Sequence, residues 1–113
     1  MVWAVVAAVT LVACVIVVVV VGGGGGSSGD SAEDVELDGE VLYAQHCANC
    51  HAIDGAGAIG PQLSDGRVAE RFPDIDDEVA VIITGRADLG MPPFGQTLTE
   101  EQIRAVAEHT RGL

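Results

Sequence analysis

The chain opens on an unbroken apolar run. Val2 to Val21 carries no charged side chain, and twenty residues at about 1.5 Å of rise each match a hydrocarbon core of about 30 Å. The pattern predicts a single membrane-spanning helix over residues 1–21. Met1, Val2 and Trp3 lack the basic start of a cleaved leader, so the segment reads as a retained anchor. The stretch Leu11, Val12, Ala13, Cys14 also resembles a bacterial lipoprotein cleavage box, with Cys14 as the lipidated residue. Either route tethers the rest of the chain to a membrane. Gly22 to Gly26, Ser27, Ser28 and Gly29 have no side chains to bury, and six acids crowd Asp30 to Glu40. Residues 22–37 therefore read as a flexible linker.

From Asp38 onward the apolar positions recur with helical spacing. Val41, Leu42 and Ala44 mark a first helix over Gly39 to Cys47, with Asp38 placed to cap it. Ala52 to Ser64 carries Gly55, Gly57, Gly60 and Pro61, which break regular structure and predict a loop that wraps something. Asp76 or Asp77 is placed to cap a second helix running through Ile83 and ended by Gly85. Thr99 and Gln102 form a capping-box pattern, after which Ile103, Val106, Ala107 and Thr110 line one face of a last helix stopped by Gly112. No run alternates long enough for a sheet, so residues 38–113 are expected to be an all-α domain with long loops.

Composition sharpens this picture in two ways. Beyond the anchor the only aromatics are Tyr43, Phe72 and Phe94, few for a domain of a size at which cores are marginal and staples are usual. Something else is expected to fill its centre. Seventeen acids stand against five arginines and no lysine, for a formal charge of -12. Nucleic acid and anionic lipid surfaces are poor partners on that ground, and no nucleic acid is expected. The acidity fits a basic redox partner, solubility or a salty habitat equally well.

Cys47, Ala48, Asn49, Cys50, His51 is the C-x-x-C-H pattern of covalent haem attachment. Two thiols two residues apart at a helix end reach the two vinyl groups, and the adjacent imidazole drops onto the iron. A structural zinc site would need further ligands, yet the only other cysteine is Cys14 and no His-x(3–5)-His pair follows. A thioredoxin-like pair would want a strand before it, which the pattern lacks. For the second axial position the only methionine besides the initiator is Met91. It sits in Gly90, Met91, Pro92, Pro93, Phe94, where the prolines stiffen the loop. Sulfur opposite histidine favours reduced iron and raises the potential. His46 and His109 compete for that position, with surface or packing roles as their alternative.

Residues 38–113 resemble the small class I cytochromes c of bacteria, including cytochrome subunits of respiratory complexes. Gly39, Tyr43, Cys47, Cys50, His51, Gly55, Gly57, Gly60, Pro61 and Leu63 carry the resemblance. Gly85, Met91, Pro92, Pro93, Phe94, Leu98, Thr99 and Ile103 continue it in order. The resemblance implies a cytochrome c fold of three to five helices around one covalent haem c, with first and last helices crossing and His51 and Met91 as axial ligands. It also implies that the Pro61 carbonyl accepts from the ligand histidine and that Leu63 packs on the haem. The family often has glycine where this chain has Ala52, and an aromatic in the last helix where it has His109 and Thr110.

The expected function is that of a monohaem c-type cytochrome carrying single electrons in a respiratory chain, without catalysis of its own and without a small-molecule substrate. Redox proteins with a basic docking surface are the expected partners. The alternative is a haem c electron-transfer subunit of a larger dehydrogenase, reductase or oxidase. Because thioether attachment in bacteria takes place outside the cytoplasmic membrane, the resemblance puts the haem domain on the extracytoplasmic side and Met1 inside.

Overall fold

The computed structural model describes residues 36–113. The expected anchor over 1–21, Cys14, and the expected linker over 22–37 apart from its last two residues lie outside the described residues. Among the described residues no helix is long and apolar enough to cross a membrane. The elements in order are α1 (Gly39–His46), α2 (Ala48–His51), α3 (Arg67–Arg71), α4 (Ile75–Thr84), a 3-10 turn (Ala87–Leu89) and α5 (Glu100–Thr110).

The helix starts follow from cap chemistry. The Asp38 carboxylate accepts from the amides of Glu40 (2.9 Å) and Val41 (3.2 Å), which satisfies two of the four orphan donors that begin α1. At α5 the amide of Gln102 donates to Thr99 Oγ1 (3.2 Å) and the amide of Thr99 to Gln102 Oε1 (2.9 Å), a complete capping box. The expected cap of α4 needs correction. Asp74, not Asp76 or Asp77, accepts from the Asp76 amide at 3.0 Å, and the helix begins at Ile75. Pro73 accounts for the earlier start: it disfavours helical backbone at Phe72 (φ -125, ψ 82), so Asp74 is the first acid at which a helix can begin. Asp76 and Asp77 instead lie in the first turn, where negative charge suits the helix dipole.

Three helices form the frame. α1 crosses α5 at Gly39, where a methyl group would collide with the backbone carbonyl of Ala105, so only glycine permits this approach. Leu42 and Tyr43 of α1, Val79 and Ile82 of α4, Leu98, and Ile103, Val106 and Ala107 of α5 make one buried cluster. Full burial of a side chain such as Ile103 or Val106 stabilises by about 1.5–3 kcal/mol. α5 buries the face its spacing predicts, Thr110 included.

The one buried acid among the described residues is Glu78 of α4. It accepts from the Thr110 hydroxyl and, at 3.2 Å, from Arg111 Nη1. Arg111 also donates to the carbonyls of Phe72 (2.9 Å) and Pro73 (3.2 Å), joining the end of α5 to the α3–α4 turn. Burial pushes the Glu78 carboxyl above the usual glutamate range, and Thr110 and Arg111 offset this only in part. The native state thus holds the proton more tightly than the unfolded chain. Stability from this group is fully present below the unfolded value and is lost as pH rises through the raised native one. Glu78→Gln, which has no proton to lose, is expected to gain on the wild type as pH climbs through that window. Denaturant titrations from about pH 4 to 8 check this, and a pH-independent difference between the two proteins would contradict it.

Candidate haem-attachment site

The C-x-x-C-H residues sit where α1 gives way to the single turn of α2. The Cys47 amide closes α1 by donating to the Tyr43 carbonyl (2.8 Å), and the amides of Cys50 (3.1 Å) and His51 (3.0 Å) both donate to the Cys47 carbonyl. This tight turn keeps both cysteines on one short segment as free, half-buried thiols. Burial, and then the neighbouring Cys50, pushes the Cys47 thiol up to about 11. That is opposite to the lowered value of a catalytic C-x-x-C pair. Among the described residues no three His, Cys, Asp or Glu side chains converge as an ion bound by protein alone would require.

A one-turn helix leaves carbonyls without partners, and the glycine-rich loop supplies them. The Gly60 amide donates to the Cys50 carbonyl (2.7 Å) and the Gly57 amide to that of His51 (2.9 Å). The Ala52 carbonyl accepts from Tyr43 Oη (2.8 Å) and from the Gly55 amide (3.1 Å). Gly57, with φ 91, makes a reversal that side-chain-bearing residues rarely make. The loop expected to wrap something wraps the end of the motif itself.

These bonds fix His51. Its Nδ1 lies 2.8 Å from the Pro61 carbonyl oxygen. A carbonyl can only accept, so Nδ1 is the donor, and in the neutral ring this leaves the lone pair on Nε2. Gly60 lies flat against the ring: a Cβ there would stand 2.7 Å from His51 Cε1, 2.9 Å from Nδ1 and 3.1 Å from Nε2. The sequence marked Gly60 as a loop breaker and as part of the family pattern, without its contact with the ring. Its place directly before Pro61, whose carbonyl meets the ring, was the available signal.

Met91 is held from another side. Its amide donates to the Arg86 carbonyl (3.0 Å) and its carbonyl accepts from the Arg86 amide (2.8 Å), closing a small loop around the 3-10 turn. The amides of Phe94 and Gly95 then cap the Ile82 and Ile83 carbonyls, both at 3.1 Å, at the end of α4. Gly85, with φ 67, lets this strap pass: a Cβ there would come within 2.5 Å of Pro93 N. The two prolines are therefore only part of what stiffens the loop. Half-buried Cys47, Leu63 and Met91 all pack against the same core cluster. His46 lies edge-on to Phe94 (centroids 6.4 Å apart, planes at 74°), and His109 packs tilted on Tyr43 (5.2 Å, 50°). Both histidines are thus engaged in aromatic packing.

The donor set fits a covalent haem. It comprises two thiols on one turn, an imidazole whose Nδ1 is engaged by a carbonyl, and a thioether on a braced loop. Half-buried Leu63, Ile83 and Phe94 add apolar surface suited to a porphyrin.

Residues 34–109 match the family described as cytochrome c oxidase, cbb3-type, subunit III. Cytochrome c55X of Paracoccus denitrificans (strain Pd 1222) is 31% identical over 80 residues, covering 71% of this chain and 74% of that protein. The cbb3-type cytochrome c oxidase subunit CcoP of Rubrivivax gelatinosus is 34% identical over 77 residues, which is 66% of this chain but only 25% of CcoP. Among solved structures, the KustC0563 c-type cytochrome superposes with a TM-score of 0.59 at 30% identity, covering 66% of this chain and 95% of its own. The c-type cytochrome NirC gives 0.58 at 25% identity, covering 74% and 94%. The chain therefore belongs to the cbb3-type subunit III family of c-type cytochromes, an electron-transfer domain with one haem c held covalently through Cys47 and Cys50.

Proposed function

We propose that this domain carries one electron at a time with His51 and Met91 as the axial ligands of its haem. The observation that carries the reading is the His51 Nδ1 to Pro61 carbonyl bond at 2.8 Å. It aims Nε2 as a lone-pair donor and raises the basicity of the ring. The bound haem supplies the one-electron couple. The chain's own residues hold, orient and shield it: Cys47 and Cys50 anchor the edge, Pro61 fixes the imidazole, Leu63 packs on the face, and the Arg86–Met91 pairing presents the thioether.

In this reading residues 1–21 anchor the chain in the cytoplasmic membrane and residues 22–37 tether a haem domain over 38–113 on the extracytoplasmic side. A flexible segment of that length reaches roughly 20–25 Å, which favours partners in the same membrane by raising their effective concentration. The charge of -12 favours partners with a basic docking surface. A second reading, a haem subunit of a larger oxidoreductase complex, is favoured by the likeness to CcoP, itself named as an oxidase subunit. Copurification of a stoichiometric partner from membranes would select it over a free-standing carrier.

A redox titration of the purified holoprotein followed in the visible bands is expected to give one wave with the slope of a one-electron couple. Two waves, or a two-electron slope, would refute the reading. Reduction by a basic redox protein is expected to slow by at least tenfold between about 10 mM and 500 mM salt, as screening shortens the reach of the acidic surface. A salt-independent rate would remove the charge from the docking account.

A further inference from the structure

Ala52, directly after the motif, has φ 64 and ψ 156. That region is essentially glycine's alone, because a Cβ is crowded there, and a residue with a side chain persists in it only when its surroundings over-determine it. Most of the bonds to this stretch come from the loop itself. The Gly55 amide meets the Ala52 carbonyl, the Gly57 amide meets the His51 carbonyl, and Leu63 and Ser64 donate to Gly55. These bonds join Ala52 to its own loop and not directly to α1 or α5.

The bond to Tyr43 Oη, at 2.8 Å, is different. Tyr43 belongs to α1, has no solvent exposure, and rests its ring on His109 of α5. Its own carbonyl accepts from the Cys47 amide. One rigid residue thus brackets the whole motif, holding Cys47 with its backbone and Ala52 with its hydroxyl.

We propose that Tyr43 is a positioning residue for His51: its hydroxyl clamps Ala52 in a glycine-like conformation and so sets the direction in which the imidazole points. The inference rests on the reading of His51 as an axial ligand. It accounts for how alanine is accommodated in a backbone conformation that is ordinarily glycine's. Without the clamp, Ala52 relaxes toward ordinary backbone, the ring leaves its alignment with the Pro61 carbonyl, and its donation to the iron weakens. Ferric iron depends more on that donation, so the midpoint potential rises.

The test compares ferric and ferrous holoprotein of the wild type, Tyr43→Phe, Ala52→Gly and the double variant. Tyr43→Phe keeps the ring and leaves the Ala52 carbonyl its bond from Gly55, so the fold is retained. It is expected to move the hyperfine-shifted proton resonances of the His51 ring. It is also expected to raise the reduced-to-oxidised ratio at fixed solution potential about threefold, roughly 28 mV for a one-electron couple. Adding Ala52→Gly, which needs no clamp, is expected to return both readouts to wild-type values. A Tyr43→Phe protein altered only in stability, or a double variant no nearer to wild type, would overturn the clamp. A wild-type protein whose His51 ring shows no hyperfine shift would instead overturn the axial reading on which the clamp stands.

Discussion

The way the backbone leaves His51 is the constraint around which the rest of the site is arranged. α2 is a single turn, so the carbonyls of Cys50, His51 and Ala52 need partners from outside it. The loop returns the amides of Gly60, Gly57 and Gly55 to them, and α1 contributes the Tyr43 hydroxyl. That return path carries the Pro61 carbonyl to His51 Nδ1 and lays the bare Cα of Gly60 on the imidazole face. Tautomer, ring orientation and the spacing of glycines are consequences of one requirement, that no buried backbone group be left unpaired.

The frame that makes this possible is built elsewhere. α1 meets α5 at Gly39 closely enough that side chains from Tyr43 to Ala107 pack as one cluster, and α4 completes it with Val79 and Ile82. The loop bearing Met91 is braced by Arg86 and fastened to the last turn of α4 by Phe94 and Gly95. Met91 is thus tied to the end of α4 and not carried on a free loop. Buried Glu78 and half-buried Arg111 join α4 to the end of α5 at 3.2 Å.

Much of this was legible in the sequence where the deciding chemistry is local. Asp38 and the Thr99–Gln102 pair sit within three residues of the amides they cap, and the cysteine spacing carries its own geometry. The start of α4 was misplaced because Asp74, Asp76 and Asp77 offer the same cap, and the effect of Pro73 on Phe72 decides among them. α3 has five residues and one buried side chain, Val68, too little to display a period. The contacts of Gly60 with His51, of Tyr43 with Ala52 and of Arg86 with Met91 depend on the folded path, so pattern alone did not foretell them. Glu78 counted as one acid among seventeen until Thr110 and Arg111 were found against it.

The central claim, that His51 and Met91 together bind the iron, is tested most directly by near-infrared and magnetic spectroscopy of ferric holoprotein beside Met91→Ala. The account predicts a methionine-to-ferric-iron charge-transfer band in the wild type that is lost in Met91→Ala and kept in His46 and His109 variants. The same band in Met91→Ala, or its absence from the wild type, would contradict it.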